Sequence, residues 1–295
     1  MSKPTVGFIG LGLMGSAMCG RLLDQGYGLN IMVNRSRTNA DALIERGAVE
    51  RSSARDVAAH SDIVMLCVDT SASVEGRMYG DHGVLDGANP GTIVIDFGTS
   101  LPSSTKKIGA DCAAKGVSYL DSPIGRTPAH AVDGLLNLMC SGDKTAFDQA
   151  KPVLDDLGEN VFHLGALGSG HAVKLINNFY AQSAANAMAE AFVMADKLGI
   201  AREAVYDVMR AGPGGSVMMD LVKAFAVDNN PNALAFSVKN ACKDLGYYDE
   251  MAKDAGADSV MVKSALVALQ KSVDAGRGET MVSEQVDFFA DLYKS

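Results

Sequence analysis

Lys174, Asn177 and Asn178 stand at i, i+3 and i+4 in a stretch of helical periodicity, so one side of that helix carries an ammonium and two carboxamides. A lysine, with an ordinary pKa of about 10.4, holds a proton to give at neutrality, and a carboxamide can orient it and bond a reacting oxygen. That is equipment for general acid and base work at a carbonyl or hydroxyl carbon. A solvated lysine at a helix start is the plainer reading of Lys174 alone. Here the basic group lies in an otherwise apolar segment, just after the Gly-rich run Gly165-Ala-Leu-Gly168-Ser-Gly170, where a cleft between domains is expected. A second group follows a candidate strand: Ser122, then Gly125-Arg126-Thr127-Pro128, which offers a guanidinium, hydroxyls and a backbone amide. With Asn177 these are groups that hold an anion. The alternative is a surface turn whose arginine caps a carbonyl. His130 and His171 lie near these segments without a triad partner and read as structural.

Such residues need a reaction partner and a frame. Val6-Gly-Phe-Ile-Gly10-Leu-Gly12-Leu-Met-Gly15-Ser16 runs from a short apolar strand straight into a helix that Gly26 ends. Gly10 allows the tight turn, Gly12 lets the backbone approach a pyrophosphate, and Gly15 lets helix and strand pack closely. The next strand, 29–33, is followed by Asn34-Arg35-Ser36-Arg37, at the offset of roughly twenty residues where an acid would hold an NAD ribose. No acid is there. Guanidinium, hydroxyl and amide groups suit a 2′-phosphate, so NADP(H) is favoured over NAD(H). The competing reading makes Arg35 and Arg37 a solvated helix entrance.

Further strands are expected near 48–50, 63–68, 93–97, 118–121 and 136–141, with 161–164 a possible last one. Their alternation with helical stretches implies a mostly parallel, doubly wound sheet over residues 1–165. Residues 166–295 read as all-helical, entered by one long segment at 172–198 and broken at Gly212-Pro213-Gly214-Gly215 and Asn229-Asn230-Pro231. The chain has 295 residues, 47% hydrophobic and 21% charged, as expected of a globular protein of two domains. A formal charge of −9 argues against nucleic acid or a membrane surface as a partner. Five cysteines without C-x-x-C spacing argue against a zinc site and for reduced thiols; with no secretory or membrane-spanning run, a cytoplasmic location is expected.

Gly7-Phe-Ile-Gly-Leu-Gly-Leu-Met-Gly15, Asp96-Phe-Gly-Thr99, Asp121-Ser-Pro-Ile-Gly125, Gly168-Ser-Gly-His-Ala-Val-Lys174-Leu-Ile-Asn-Asn178 and Lys243-Asp-Leu-Gly246 follow one another in an order that, over essentially the full length, resembles the β-hydroxyacid dehydrogenase family. That family holds 3-hydroxyisobutyrate dehydrogenase, tartronate semialdehyde and glyoxylate/succinic semialdehyde reductases and, more distantly, 6-phosphogluconate dehydrogenase. The resemblance implies a Rossmann domain followed by an all-α domain that packs against its counterpart in a homodimer or homotetramer. It makes Lys174 the catalytic lysine with Asn178 its amide partner, and makes Leu13, Met14, Val68, Thr99 and Lys243 cofactor contacts. Most of the family carries Ser-Gly-Gly where this chain has Gly125-Arg126-Thr127. Gly-Arg-Thr followed by Ala131 and Gly134 is similar to the sulfolactaldehyde reductase branch, in which these residues hold a sulfonate. Asn34-Arg35 departs from the Asp expected of an NADH-using member of that branch.

The expectation is hydride transfer between NADP(H) and a short anionic aldehyde such as sulfolactaldehyde or succinic semialdehyde, with Lys174 as acid and base and no metal. The alternatives are a carboxylate-specific dehydrogenase of the 3-hydroxyisobutyrate or tartronate semialdehyde type, an imine reductase, and a non-catalytic NADP-binding protein.

Overall fold

The computed structural model describes residues 3–34 and 37–294. Arg35 and Ser36, two of the expected cofactor residues, lie outside the described residues. The chain divides into two compact units after Lys174.

In the first unit the strands are β1 (Val6–Ile9), β2 (Leu29–Met32), β3 (Val49–Arg51), β4 (Ile63–Leu66), β5 (Ile93–Asp96), β6 (Ser118–Asp121), β7 (Ile124–Gly125), β8 (Leu136–Cys140) and β9 (Gly158–His163). Between them run α1 (Leu13–Asp24), α2 (Thr38–Glu45), α3 (Ala54–Ala59), α4 (Ser71–Tyr79), α5 (Val84–Gly87), α6 (Pro102–Ala113), α7 (Pro128–Asp133) and α8 (Lys144–Leu157). Among the described residues, six strands pair in parallel in the order β3-β2-β1-β4-β5-β6. This is the Rossmann order.

The strands β1, β2, β4 and β5 are buried along their whole length, as a sheet covered on both faces requires. Their alternate side chains feed two separate cores. Phe8, Ile31, Met65 and Ile95 point into one, and Ile9, Met32, Val64 and Val94 into the other. A strand's period of two therefore explains why both faces of these runs are apolar, except for buried Asn30 in β2 and Asp96 at the end of β5.

One expectation changes. The strands expected at 136–141 and 161–164 do not extend the parallel sheet; they are β8 and β9 of a second sheet, ordered β7-β8-β9. β7, not anticipated from the sequence, pairs antiparallel with β8, with Gly125 opposite Asn137. A Cβ on Gly125 would come within 3.2 Å of the Asn137 Cβ, so its glycine already has a packing reason.

The second unit is helical: α9 (Ser169–Lys197) crosses the division, followed by α10 (Arg202–Ala211), α11 (Val217–Ala226), α12 (Val238–Asp254), α13 (Val260–Ser272) and α14 (Gln285–Leu292). The Gly212–Gly215 glycines separate α10 from α11 and Asn229-Asn230-Pro231 follows α11, as the breaks in the sequence predict. Its core gathers Phe192, Val222, Leu245, Leu269 and Phe289. On α9, Ile176 and Tyr180 remain 53% and 71% exposed. The five cysteines are free thiols. Burial is the main cause that pushes Cys67, Cys112 and Cys140 up to about 12, which makes them poor nucleophiles. Among the described residues no helix is long and apolar enough to cross a membrane.

Candidate active site

β1 turns into α1 through glycines that serve different ends. At Gly10, φ is +109° and a Cβ would meet the Cys67 carbonyl oxygen at 2.2 Å. At Gly15 a Cβ would lie 1.9 Å from the Gly10 carbonyl oxygen. Both demands come from the protein's own backbone. Around Gly12, by contrast, a Cβ would meet nothing within 4 Å. Gly12 is also the N-cap of α1 and no side chain caps that helix, so first-turn amides are left for another acceptor.

In front of this turn is a cavity of about 680 Å³. Gly10, Gly12, Leu13, Asn34 and Val68 line it, all expected as cofactor residues, together with Arg77. Leu13 is 79% exposed. Asn39 Nδ2 pins the turn by donating to the Leu11 carbonyl at 2.8 Å. Met14 and Gly15 do not line the cavity: Met14 packs against the core, and Gly15 is buried in α1. A backbone left bare at Gly12, uncapped amides and an apolar rim at Leu13 and Val68 fit a dinucleotide.

Arg37 has partners of its own. Its guanidinium makes a fork to Glu50, at 3.1 and 2.9 Å, and pairs with Asp41. It is already matched by carboxylates, and its pKa is raised chiefly by the Glu50 bond. A 2′-phosphate at Arg37 would have to displace the Glu50 carboxylate from an exposed pair.

Two buried carboxylates close β5 and β6. Asp96 Oδ1 accepts the Gly98 N–H at 2.8 Å and Oδ2 the Ser100 hydroxyl at 2.9 Å, which fixes the half-buried Thr99 between them. Asp121 Oδ1 accepts the Gly168 N–H and Oδ2 the His171 N–H, both at 2.8 Å. Asp121 thus does for the start of α9 what an N-cap side chain does locally. Fully buried His171 bonds Thr105 Oγ1 through Nδ1 at 2.8 Å, a structural setting one helical turn ahead of Lys174. Neither aspartate was given a role from sequence, although each is a charge ending an apolar strand run. Ser122 Oγ is buried, and its polar partner is the Cys140 thiol, whose pKa the Ser122 hydrogen bond lowers against the larger effect of burial.

Lys174 is half-buried on α9, and Asn177 is exposed one residue before buried Asn178. Asn178 Nδ2 donates to Asp244 Oδ2 at 2.7 Å, and Asn177 Nδ2 donates to Asn178 Oδ1 at 3.2 Å. Lys243 Nζ lies 3.1 Å from Asp244 Oδ1. Asp244, next to the expected Lys243, is a site residue that sequence reasoning missed; a charge at 2% exposure in a helix is visible only once packing is known.

The loop after β7 departs from the expectation of a ready anion clamp. Arg126 has φ +79°, rare for a side chain other than glycine. Its guanidinium donates to the Leu135 carbonyl at 2.7 Å and pairs with Glu159 at 2.5 Å. The carbonyl-capping alternative is therefore met by geometry, and the charge is matched. Thr127 Oγ1 bonds His130 Nδ1 at 2.7 Å. Among the described residues there is no cluster of metal-ligating side chains.

Residues 5–165 match the family described as the NAD binding domain of 6-phosphogluconate dehydrogenase, and residues 168–288 that described as NAD-binding of NADP-dependent 3-hydroxyisobutyrate dehydrogenase. The 3-sulfolactaldehyde reductase of Escherichia coli is 33% identical over 297 residues, covering 97% of each chain. The chain belongs to the β-hydroxyacid dehydrogenase family. The NAD-dependent L-serine dehydrogenase of Pseudomonas aeruginosa is 31% identical, over 93% of this chain and 94% of its own. A structure of Mycobacterium tuberculosis 3-hydroxyisobutyrate dehydrogenase with L-serine superimposes with a TM-score of 0.84 at 28% identity, over 97% of this chain and 99% of that one. The protein is accordingly an NAD(P)-dependent hydroxyacid dehydrogenase, acting on a CH–OH group.

Proposed function

We propose that this dehydrogenase interconverts a short anionic aldehyde and its hydroxy acid or sulfonate analogue, preferring NADP(H), with Lys174 as general acid and base. The bound nicotinamide supplies or takes up the hydride. Lys174 Nζ gives its proton to the aldehyde oxygen in reduction and receives one from the hydroxyl in oxidation. The carboxamide of Asn178, aimed by Asp244 and by Asn177, keeps its second Nδ2 hydrogen for the reacting oxygen. Thr99 and Lys243 complete the cofactor contacts, and the protein works as a homodimer or homotetramer through the exposed apolar face of α9.

The observation that carries this reading is the Asn178 to Asp244 bond: a buried carboxylate aims a carboxamide one helical turn after a lysine. Support for NADP(H) comes from Asn34 on the cavity wall where an acid would bind an NAD ribose. Support for an anionic substrate comes from the Gly125-Arg126-Thr127 loop, whose guanidinium stands beside the Glu159 carboxylate. Since Arg126 is paired, anion recognition there is an exchange in which the substrate's carboxylate or sulfonate replaces Glu159. The relatives' named compounds, 3-sulfolactaldehyde and L-serine, both carry an anionic group.

The test is oxidation of NADPH and NADH with sulfolactaldehyde, succinic semialdehyde, glyoxylate, tartronate semialdehyde and methylmalonate semialdehyde, by the unchanged protein and by Lys174→Ala. The variant should keep its dinucleotide affinity and lose about a hundredfold or more in turnover. Normal turnover removes Lys174 from the mechanism; a preference for NADH removes the cofactor assignment.

A further inference from the structure

α4 contributes two unusual features to the wall of the dinucleotide cavity. Gly76 sits inside the helix, where glycine costs about 1 kcal/mol relative to alanine. A Cβ there would meet nothing within 4 Å, so the protein's own packing does not require the glycine. Gly12, the residue assigned to pyrophosphate approach, has the same open surroundings and lines the same cavity. Next to Gly76 is half-buried Arg77, which no carboxylate pairs with among the described residues. Asn34 after β2 and Arg77 near the end of α4 line one cavity. Among the described residues of that wall the one carboxylate is Asp69, which precedes α4 and accepts the Ser73 hydroxyl at 2.7 Å.

We propose that Arg77 is a specificity residue of the cofactor site, binding the 2′-phosphate of NADP(H) across the space that Gly76 leaves open. This rests on the preference for NADP(H) proposed above and deepens it. A dinucleotide laid with its pyrophosphate at Gly12 sends its adenosine toward the end of β2. Arg37, the N-cap of α2 beyond that strand, is paired with Glu50, whereas Arg77 has no carboxylate partner among the described residues and can offer its guanidinium fork to a phosphate. Gly76 gives the adenosine room to lie against the helix, and Arg77, one residue on, reaches past it.

Binding of 2′,5′-ADP and of 5′-AMP to the full-length protein, measured by calorimetry with no substrate present, separates the possibilities. The unchanged protein should bind 2′,5′-ADP more tightly. Arg77→Ala should weaken 2′,5′-ADP by about ten- to a hundredfold and 5′-AMP by less than about twofold, with Arg77→Lys intermediate and the melting temperature unchanged. If the unchanged protein prefers 2′,5′-ADP and Arg77→Ala keeps that preference, Arg77 is a helix-end charge only and this inference fails while the NADP(H) reading stands. Equal loss for both ligands means the side chain meets the adenine, which overturns the phosphate assignment. If the unchanged protein does not distinguish the two ligands, the NADP(H) reading itself fails, and the role of Arg77 with it.

Discussion

The turn at residues 10–15 and the loop at residues 125–127 both read as anion sites, yet they are built in different ways. The first is made of backbone. Its glycines are fixed by contacts with neighbouring carbonyls, and one side, at Gly12, is left bare. The second is made of side chains: Arg126 holds a left-handed backbone at φ +79°, and its charge is already matched by Glu159 and the Leu135 carbonyl. A backbone site keeps its donors pointed outward whether or not a ligand is present. A side-chain site can be occupied by the protein's own groups until a better partner arrives.

The comparison is tested hardest at Gly15 and Gly12. Gly15→Ala forces a Cβ to 1.9 Å from the Gly10 carbonyl, a backbone atom that cannot turn aside. A loss of about 3 kcal/mol or more in stability is expected, read as a fall in melting temperature without any ligand. Gly12→Ala should stay within about 1 kcal/mol of the unchanged protein and still weaken dinucleotide binding by about tenfold or more. Equal behaviour of the two variants, in either measurement, would erase the distinction between glycines needed by the fold and one needed by the ligand.

The same difference governs what could be read from the sequence. The glycine spacing, the short, mostly apolar runs of β1, β2, β4 and β5 and the long helix α9 follow from local rules of sterics and periodicity, and the structure has them. β7 was invisible because two residues carry no period, and the second sheet was assigned to the first because strand partners are not written in strand patterns. At the site, Lys174 and Asn178 stand out by helical spacing. Asp244, 66 residues beyond Asn178, and Glu159, 33 beyond Arg126, do not, because a partner fixed by tertiary packing has no constant offset. Arg37 is a further case: a guanidinium in a promising place looks identical in sequence whether or not Glu50 stands beside it.

Arg126→Gly sharpens the contrast by turning the side-chain loop toward the backbone kind. Relief of the left-handed conformation should stabilise by about 1 kcal/mol, while loss of a half-exposed ion pair should cost between about 0 and 1 kcal/mol and loss of the bond to the Leu135 carbonyl about 1 kcal/mol. The melting temperature should therefore stay level or fall slightly while the preference for anionic over neutral aldehydes falls. An unchanged preference would leave Arg126 as a carbonyl cap with no part in substrate choice.

The smallest effect is also the most discriminating. Glu159→Gln leaves Arg126 its backbone and its bond to the Leu135 carbonyl but removes the competing carboxylate. If a substrate anion has to displace Glu159, the variant should lower KM for an anionic aldehyde several-fold, leave kcat unchanged, and leave a neutral aldehyde of similar length unaffected in both. The exposed pair contributes at most about 1 kcal/mol, so little change in stability accompanies this gain. A raised KM would mean instead that Glu159 holds Arg126 in its working position, and the charge pair would then be part of the clamp and not its competitor.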